Sequence, residues 1–284
     1  MPTGPGKPPT ALIRAAVALV FILPVLFMAL AAFRPAGQPI ASSLWPADPT
    51  LDNFGRLFDI LPIGRYTLNS LLVVLLAVPL TLLTASWAGF AMARLPRRAQ
   101  RRWVLLSLLV LMVPGVALWS SRFILYSLIG IGGTLWVLAI PALMGTTPFF
   151  VLMFYRAFRR IPKAIYDSAR LEGAGVLATW WRVALPIARP TAVAVAVLAF
   201  ILYWGDYLSP LLYLNDADRY TLPVGLQLLE QMGRSDYPLL MAGALWATLA
   251  PLLLVILGVM AAAVIEYLRA REFRTGAGNL PRRR

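Results

Sequence analysis

Apolar residues in this chain come in long runs, and polar residues collect in the gaps between them. A helix needs about 20 apolar residues to cross a bilayer, and six runs are long enough. They lie at about Leu12 to Phe33, Tyr66 to Met92, Val104 to Tyr126, Leu135 to Tyr155, Val183 to Leu214 and Leu239 to Leu268. The third is interrupted by Val113-Pro-Gly115. The pattern predicts an all-α polytopic membrane protein with six transmembrane helices. Pro24, Pro79, Pro114, Pro141 and Pro251 fall inside the runs. Neighbouring helices can satisfy the backbone groups that such prolines free, so they read as kinks.

The gaps set the organisation. Residues 1–11 are rich in Pro and Gly and read as a disordered tail. Residues 34–65 form a polar loop with Pro35, Pro39, Pro46, Pro49 and Pro62. Residues 66–268 make a core of five spans. Within it lie a basic turn from Arg94 to Arg102, a glycine turn from Ile129 to Gly133, a long polar loop at 156–186 and another from Asn215 to Pro238. Residues 269–284 are a basic tail. Ala29-Leu-Ala31 has the form of a signal-peptide cleavage site. The apolar stretch there is longer than a usual signal core and five more follow, so it reads as a span.

Composition agrees with a membrane chain. Hydrophobic residues make up 60% and charged residues 13%, where a soluble domain carries about 25% charged. The chain has no Cys and no His. That removes disulfides and the usual zinc ligands, and with them the commonest general base. The net charge of +14 could suggest nucleic acid, but its placement argues for topology. Arg34, Arg56, Arg65, Arg122, Arg219 and Arg234 fall on one side of the six spans, and the other 20 of the 26 basic residues fall on the opposite side. Basic loops stay in the cytoplasm, so both termini are expected there and 34–65 is expected outside.

The loop at 156–186 is the most informative polar stretch. Pro162 suits a helix first turn. Lys163 with Asp167, and Asp167 with Arg170, have the spacing of helix-surface ion pairs. Ala164, Ser168 and Leu171 make a face of small and apolar groups. Gly173 and Gly175 can end the helix and turn the chain. Val176, Leu177, Trp180 and Trp181 then present a second apolar surface before Leu185-Pro186. Two readings follow from the residues: an amphipathic helix on the membrane surface, or a helix-turn-helix knob that fits a partner's groove.

The spacing carries a resemblance. Asp167-Ser168-Ala169, two residues, Glu172-Gly173-Ala174, and then Val183, Leu185 and Pro186 match in position the "EAA" loop of bacterial ABC importer permeases. That pattern is Glu-Ala-Ala, two residues, Asp-Gly-Ala, nine further residues after the Gly, then Ile-x-Leu-Pro. Here the two acidic residues are exchanged in length and Ser168 replaces Ala. Leu51-Asp-Asn-Phe54, Tyr66-Thr-Leu-Asn-Ser70, Ala88-Gly-Phe-Ala-Met-Ala-Arg94, Met112-Val-Pro-Gly115, Tyr220-Thr-Leu-Pro-Val-Gly-Leu226 and Glu272-Phe-Arg-Thr-Gly-Ala-Gly278 resemble the carbohydrate-type, MalG-like branch. Related branches carry sn-glycerol 3-phosphate and other solutes.

The resemblance implies a type I permease fold and a loop that docks on an ATPase subunit. It also implies a second, MalF-like permease chain, two ATPase subunits and an extracytoplasmic solute-binding protein. ATP and Mg would be used by the ATPase, and this chain would bind no cofactor or metal and be no enzyme. The sequence agrees on one point: Gly4-Pro-Gly6-Lys7-Pro8 has Pro where a phosphate-binding loop needs Ser or Thr. A second candidate site is the run Tyr203, Trp204, Asp206 and Tyr207. An Asp at membrane depth is costly unless it faces water or a partner. The aromatics could stack on a sugar ring, or form an interfacial belt around a structural Asp. A channel or secondary transporter would be expected to carry more intramembrane charge along its path, and a membrane-anchored enzyme would need a catalytic cluster.

Overall fold

A computed structural model describes residues 9–36, 45–46, 48–232, 236–249, 251–253, 256 and 260. Every regular element among the described residues is helical. The chain divides into two units, one of residues 1–61 and 228–284, the other Pro62–Gln227.

The second unit is built around helix α3, Ile63–Arg94. Helices α6 (Trp136–Leu143), α7 (Pro148–Arg159) and α10 (Arg189–Trp204) pack on it. Two small residues let them approach. A Cβ on Gly89 would sit 2.7 Å from Phe154 Cβ and 2.7 Å from the Tyr155 nitrogen, so the backbones of α3 and α7 touch. Thr84 Oγ1 donates to the Ala142 carbonyl at 2.6 Å and ties α3 to α6. At the other end of α3, Asn69 donates to the carbonyls of Asp218 and Tyr220, each at 2.9 Å. Ser70 Oγ accepts from the Leu222 nitrogen at 2.8 Å, and Arg65 pairs with Asp218. The segments Tyr66–Ser70 and Tyr220–Leu226, remote in sequence, therefore meet.

Among the described residues two stretches are long and apolar enough to cross a membrane: Ile63–Arg94 and Trp136–Arg159, the latter spanning α6, α7 and the turn between them. Two bent pairs also qualify if each is one span. The first joins α4 (Arg97–Leu111) to a short turn and α5 (Trp119–Leu128) through an 86° bend. Pro114 disfavours helix for the residue before it, which places the break. The second joins α9 (Val176–Ile187) to α10 through 83°.

In the first unit, α1 is Pro9–Ala32 and α2 is Asp52–Ile60. Asn53 donates to the carbonyls of Ala32 at 2.9 Å and Arg34 at 2.6 Å, which closes the chain after α1. Arg56 pairs with Asp236 at 2.6 Å. Apolar side chains along α1, from Val17 to Phe27, are exposed, as in a helix surrounded by lipid or by other membrane helices.

The structure corrects several boundaries. The polar stretch 34–65 contains α2, and Asn215–Pro238 contains α12, Leu222–Met232. The basic turn shrinks to Leu95-Pro96, because Arg97 to Arg102 already belong to α4. The run Val183–Leu214 is no single helix: it bends at Ala188, stops at Gly205 and resumes as α11, Leu208–Tyr213. The sixth run extends past Tyr237–Leu253 into residues mostly outside those described, and the tail 269–284 lies wholly outside.

Candidate functional site: a polar knob and an interior cavity

Helix α8, Lys163–Leu171, opens after Pro162 and ends in a tight reversal. Gly173 has φ +79°, a left-handed value that glycine adopts without strain. The Gly173 nitrogen donates to the Arg170 carbonyl at 2.9 Å and the Ala174 nitrogen to the Ala169 carbonyl at 2.9 Å. This pair is the Schellman arrangement, which satisfies the free carbonyls of a helix end. Around a Cβ built on Gly173 there is open space, so the position needs glycine for its backbone angle alone.

The turn leaves side chains free. Leu171 is 90% exposed, Val176 61% and Leu177 63%. Ser168, Glu172 and Gly173 are exposed, Asp167 and Ala174 half-buried, and Ala169 buried. The ion pairs expected of Lys163, Asp167 and Arg170 do not form among the described residues. The helix is held by its cap and by its buried side instead. Tyr166 donates to the Phe158 carbonyl at 3.2 Å. The Arg94 guanidinium lies 5.3 Å from the centres of both the Phe90 and the Tyr166 rings. Burial pushes the Tyr166 hydroxyl above its ordinary pKa, with Arg94 opposing, so it stays a donor.

The second half of the knob differs from expectation. Trp180 is not part of the presented surface. It is 3% exposed and meets Trp87 of α3 edge to face at 5.0 Å, while Trp181 faces out. Thr179–Ala184 widens into a π-type turn. The ring of Pro186 would crowd the carbonyl four residues back in a regular helix, and the wider turn gives it room. Leu185 and Pro186 are half-buried just before the 83° bend.

Tyr203, Trp204, Asp206 and Tyr207 gather at the far end of α10. Tyr203 and Trp204 are buried. The Tyr203 hydroxyl shares a hydrogen bond with Thr146 Oγ1 at 2.8 Å, and Thr146 shares another with Thr81. Trp204 stacks on Phe200 at 5.7 Å. Asp206 Oδ1 accepts from the Ser209 nitrogen at 3.1 Å and starts α11. Tyr203 and Asp206 line a cavity of about 130 Å³ together with Arg122, Tyr126, Thr146 and Tyr213. Trp204 and Tyr207 do not line it.

Sequence reading missed Arg122, Thr146 and Thr81 as partners of this cluster. Thr146 has φ +62°, inside a turn between two apolar helices. The sequence marks the turn though not the role of Thr146: Thr147 followed by Pro148 is a cap and a first-turn proline.

Residues 85–274 match the family described as binding-protein-dependent transport system inner membrane component. This chain belongs to that family. The match takes in both the knob and the cavity cluster. The chain is 29% identical over 245 residues to the arabinooligosaccharides transport system permease protein AraQ of Halalkalibacterium halodurans, covering 84% of this chain and 86% of that one. It is 28% identical over 238 residues to the galactooligosaccharides transport system permease protein GanQ of Bacillus subtilis, covering 82% and 84%. In fold it is similar to a chain of a bacterial ABC transporter that imports the acidic polysaccharide alginate. That likeness has a TM-score of 0.72 and 16% identity, and covers 91% of this chain and 99% of the other.

Proposed function

We propose that this chain is one permease half of an ATP-driven importer of a sugar or oligosaccharide, crossing the bacterial inner membrane six times with both termini in the cytoplasm. Its relatives' names support the cargo class. The two long apolar stretches and the two bent pairs support four of these crossings, and the shorter apolar helices Ala16–Ala32 and Tyr237–Leu253 lie where the reading puts the other two. The distribution of basic residues supports the orientation.

One observation carries the coupling role. The knob of residues 162–186 has a helix end closed by its own backbone hydrogen bonds and an exposed apolar tip of Leu171, Val176 and Leu177. An apolar tip on a capped, short helix fits a groove in a partner. Asp167, Ser168, Ala169, Glu172, Gly173 and Ala174 form the docking helix and its turn, and Leu185 and Pro186 its return to the membrane. The partner is the ATPase, which binds ATP and Mg. A second, MalF-like permease chain completes the pore, and a solute-binding protein delivers cargo from outside. Closure of the ATPase pair moves the knob as a body. Tyr166, Arg94 and Phe90 pass the motion to α3, and Trp180 passes it through Trp87. The spans rock between inward-open and outward-open states.

A second reading of the cargo is an anionic solute such as sn-glycerol 3-phosphate, for which Arg122, lining the cavity together with Asp206, would be the group that meets the anion. Co-purification tests the main reading. The chain, expressed with the ATPase, second permease and binding protein of its own operon, is expected to retain the ATPase and to take up labelled oligosaccharide. Removal of residues 162–186 should abolish both. Retention of the ATPase by the shortened chain refutes the docking role, and uptake of glycerol phosphate in place of oligosaccharide selects the second cargo.

A further inference from the structure

A further groove in the second unit lies where the knob returns to the membrane, apart from the exposed tip and from the cavity of Tyr203 and Asp206. It is a groove of about 820 Å³ between α3 and the α9–α10 bend. Leu75, Pro79 and Leu83 line one wall, and Trp180 and Pro186 the other. Arg189 is the one charged residue that lines it. Arg189 is exposed and forms no ion pair among the described residues. Trp180 is buried, and its Nε1 has no hydrogen-bond partner among the described residues. A guanidinium without an ion-pair partner among the described residues thus borders a slot whose lining, Ser86 apart, is apolar.

Length and charge point to the occupant. The α3 wall runs from Leu75 to Ser86. At about 1.5 Å per residue it is about 16 Å long. One leaflet's share of a hydrocarbon core about 30 Å thick is close to that. Arg189 opens α10 directly after the knob, so it lies at the cytoplasmic end of the groove in the orientation proposed above, on which this inference rests. Basic pockets between membrane helices on that side bind anionic head groups.

We infer that the groove is a binding site for one anionic phospholipid of the cytoplasmic leaflet. An acyl chain lies along Leu75, Pro79 and Leu83. The phosphate meets Arg189, and the Trp180 ring forms part of the wall beside the chain. The lipid fills the angle between α3 and the bend that carries the knob, so it bears on the element that must move during transport.

The test uses the purified full chain in detergent, stripped of lipid. It is titrated with phosphatidylglycerol or phosphatidylcholine of the same acyl chains, and bound lipid is counted by native mass spectrometry. One phosphatidylglycerol is expected to bind about fivefold more tightly than phosphatidylcholine, the effect of one basic group near a headgroup. Arg189→Gln removes the preference and Leu83→Trp weakens both lipids. Equal binding of the two lipids by the native chain, or an unchanged preference in Arg189→Gln, overturns the site. Because the chain has no cysteine, Ala192→Cys can carry a single benzophenone in native membranes. Adducts to lipid support the proposal, and adducts to another polypeptide overturn it. ATPase recruitment is measured on the native chain and the same variants. A native chain that prefers phosphatidylglycerol but does not retain the ATPase sinks the docking role alone, whereas a native chain that retains the ATPase but binds the two lipids equally sinks the lipid site alone.

Discussion

The knob and the interior cavity solve opposite problems. Both interrupt apolar helices with polar groups. At the knob, backbone atoms satisfy one another around Gly173, and the side chains at the tip are left with nothing to touch. At the cavity, side chains satisfy one another, Thr81 to Thr146 to Tyr203, and close over the crossing of α3, α7 and α10. Free side chains on a fixed turn are what recognition by another protein needs. Mutual satisfaction is what a buried polar crossing needs, since an unpaired hydroxyl there costs about 1–3 kcal/mol.

Substitutions can break or sharpen this contrast. The largest effect is expected from Gly173→Asp, which forces a side chain into the left-handed region and adds charge at the tip. Uptake should fall about 100-fold, the upper end of coupling between linked sites, while the membrane level of the protein is unchanged. Wild-type uptake with the ATPase still attached would show that the turn has no part in coupling. Next is Leu177→Ser. Burying a leucine contributes about 1.5–3 kcal/mol, so ATPase affinity should drop at least about tenfold, read by co-purification against added detergent. A thermal stability shift in place of an affinity shift would make Leu177 a core residue.

Smaller effects separate roles at the cavity. Asp206→Ala should lose about 1 kcal/mol with its cap, whereas Asp206→Asn keeps the cap and the stability. If uptake follows stability in both, Asp206 is structural; if Asp206→Asn alone loses uptake, it touches the solute. The smallest change is Tyr166→Phe, which removes one hydrogen bond worth about 1 kcal/mol and keeps the ring beside Arg94. Uptake should stay within about twofold, and a larger loss would mean the hydroxyl transmits motion.

How much was legible in advance depended on where the information sits. The turn of the knob was readable because Gly173 and Pro162 state their backbone roles outright. The apolar runs located most of the helices, and the interruption at Val113-Pro-Gly115 marked one bend, but the bend at Ala188 fell inside a run read as one span. A run that is apolar throughout could not disclose which face it buries. Trp180 and Trp181 are adjacent and alike, yet one is packed on Trp87 and the other is open. Arg122 looked like a charge that reports sidedness, and only the fold brings it to the cavity of Asp206. The ion pairs along α8 were allowed by spacing, but exposed pairs contribute little and the caps decide that helix.

At Gly89 there is no cushion between two backbones. Helices separated by leucines can slip by a rotamer, trading one arrangement for another at little cost. Where main chain rests on main chain, as α3 rests on Phe154 and Tyr155, there is nothing to trade. In the rocking proposed above the two helices travel as one welded strut, and the bends are where the chain gives way.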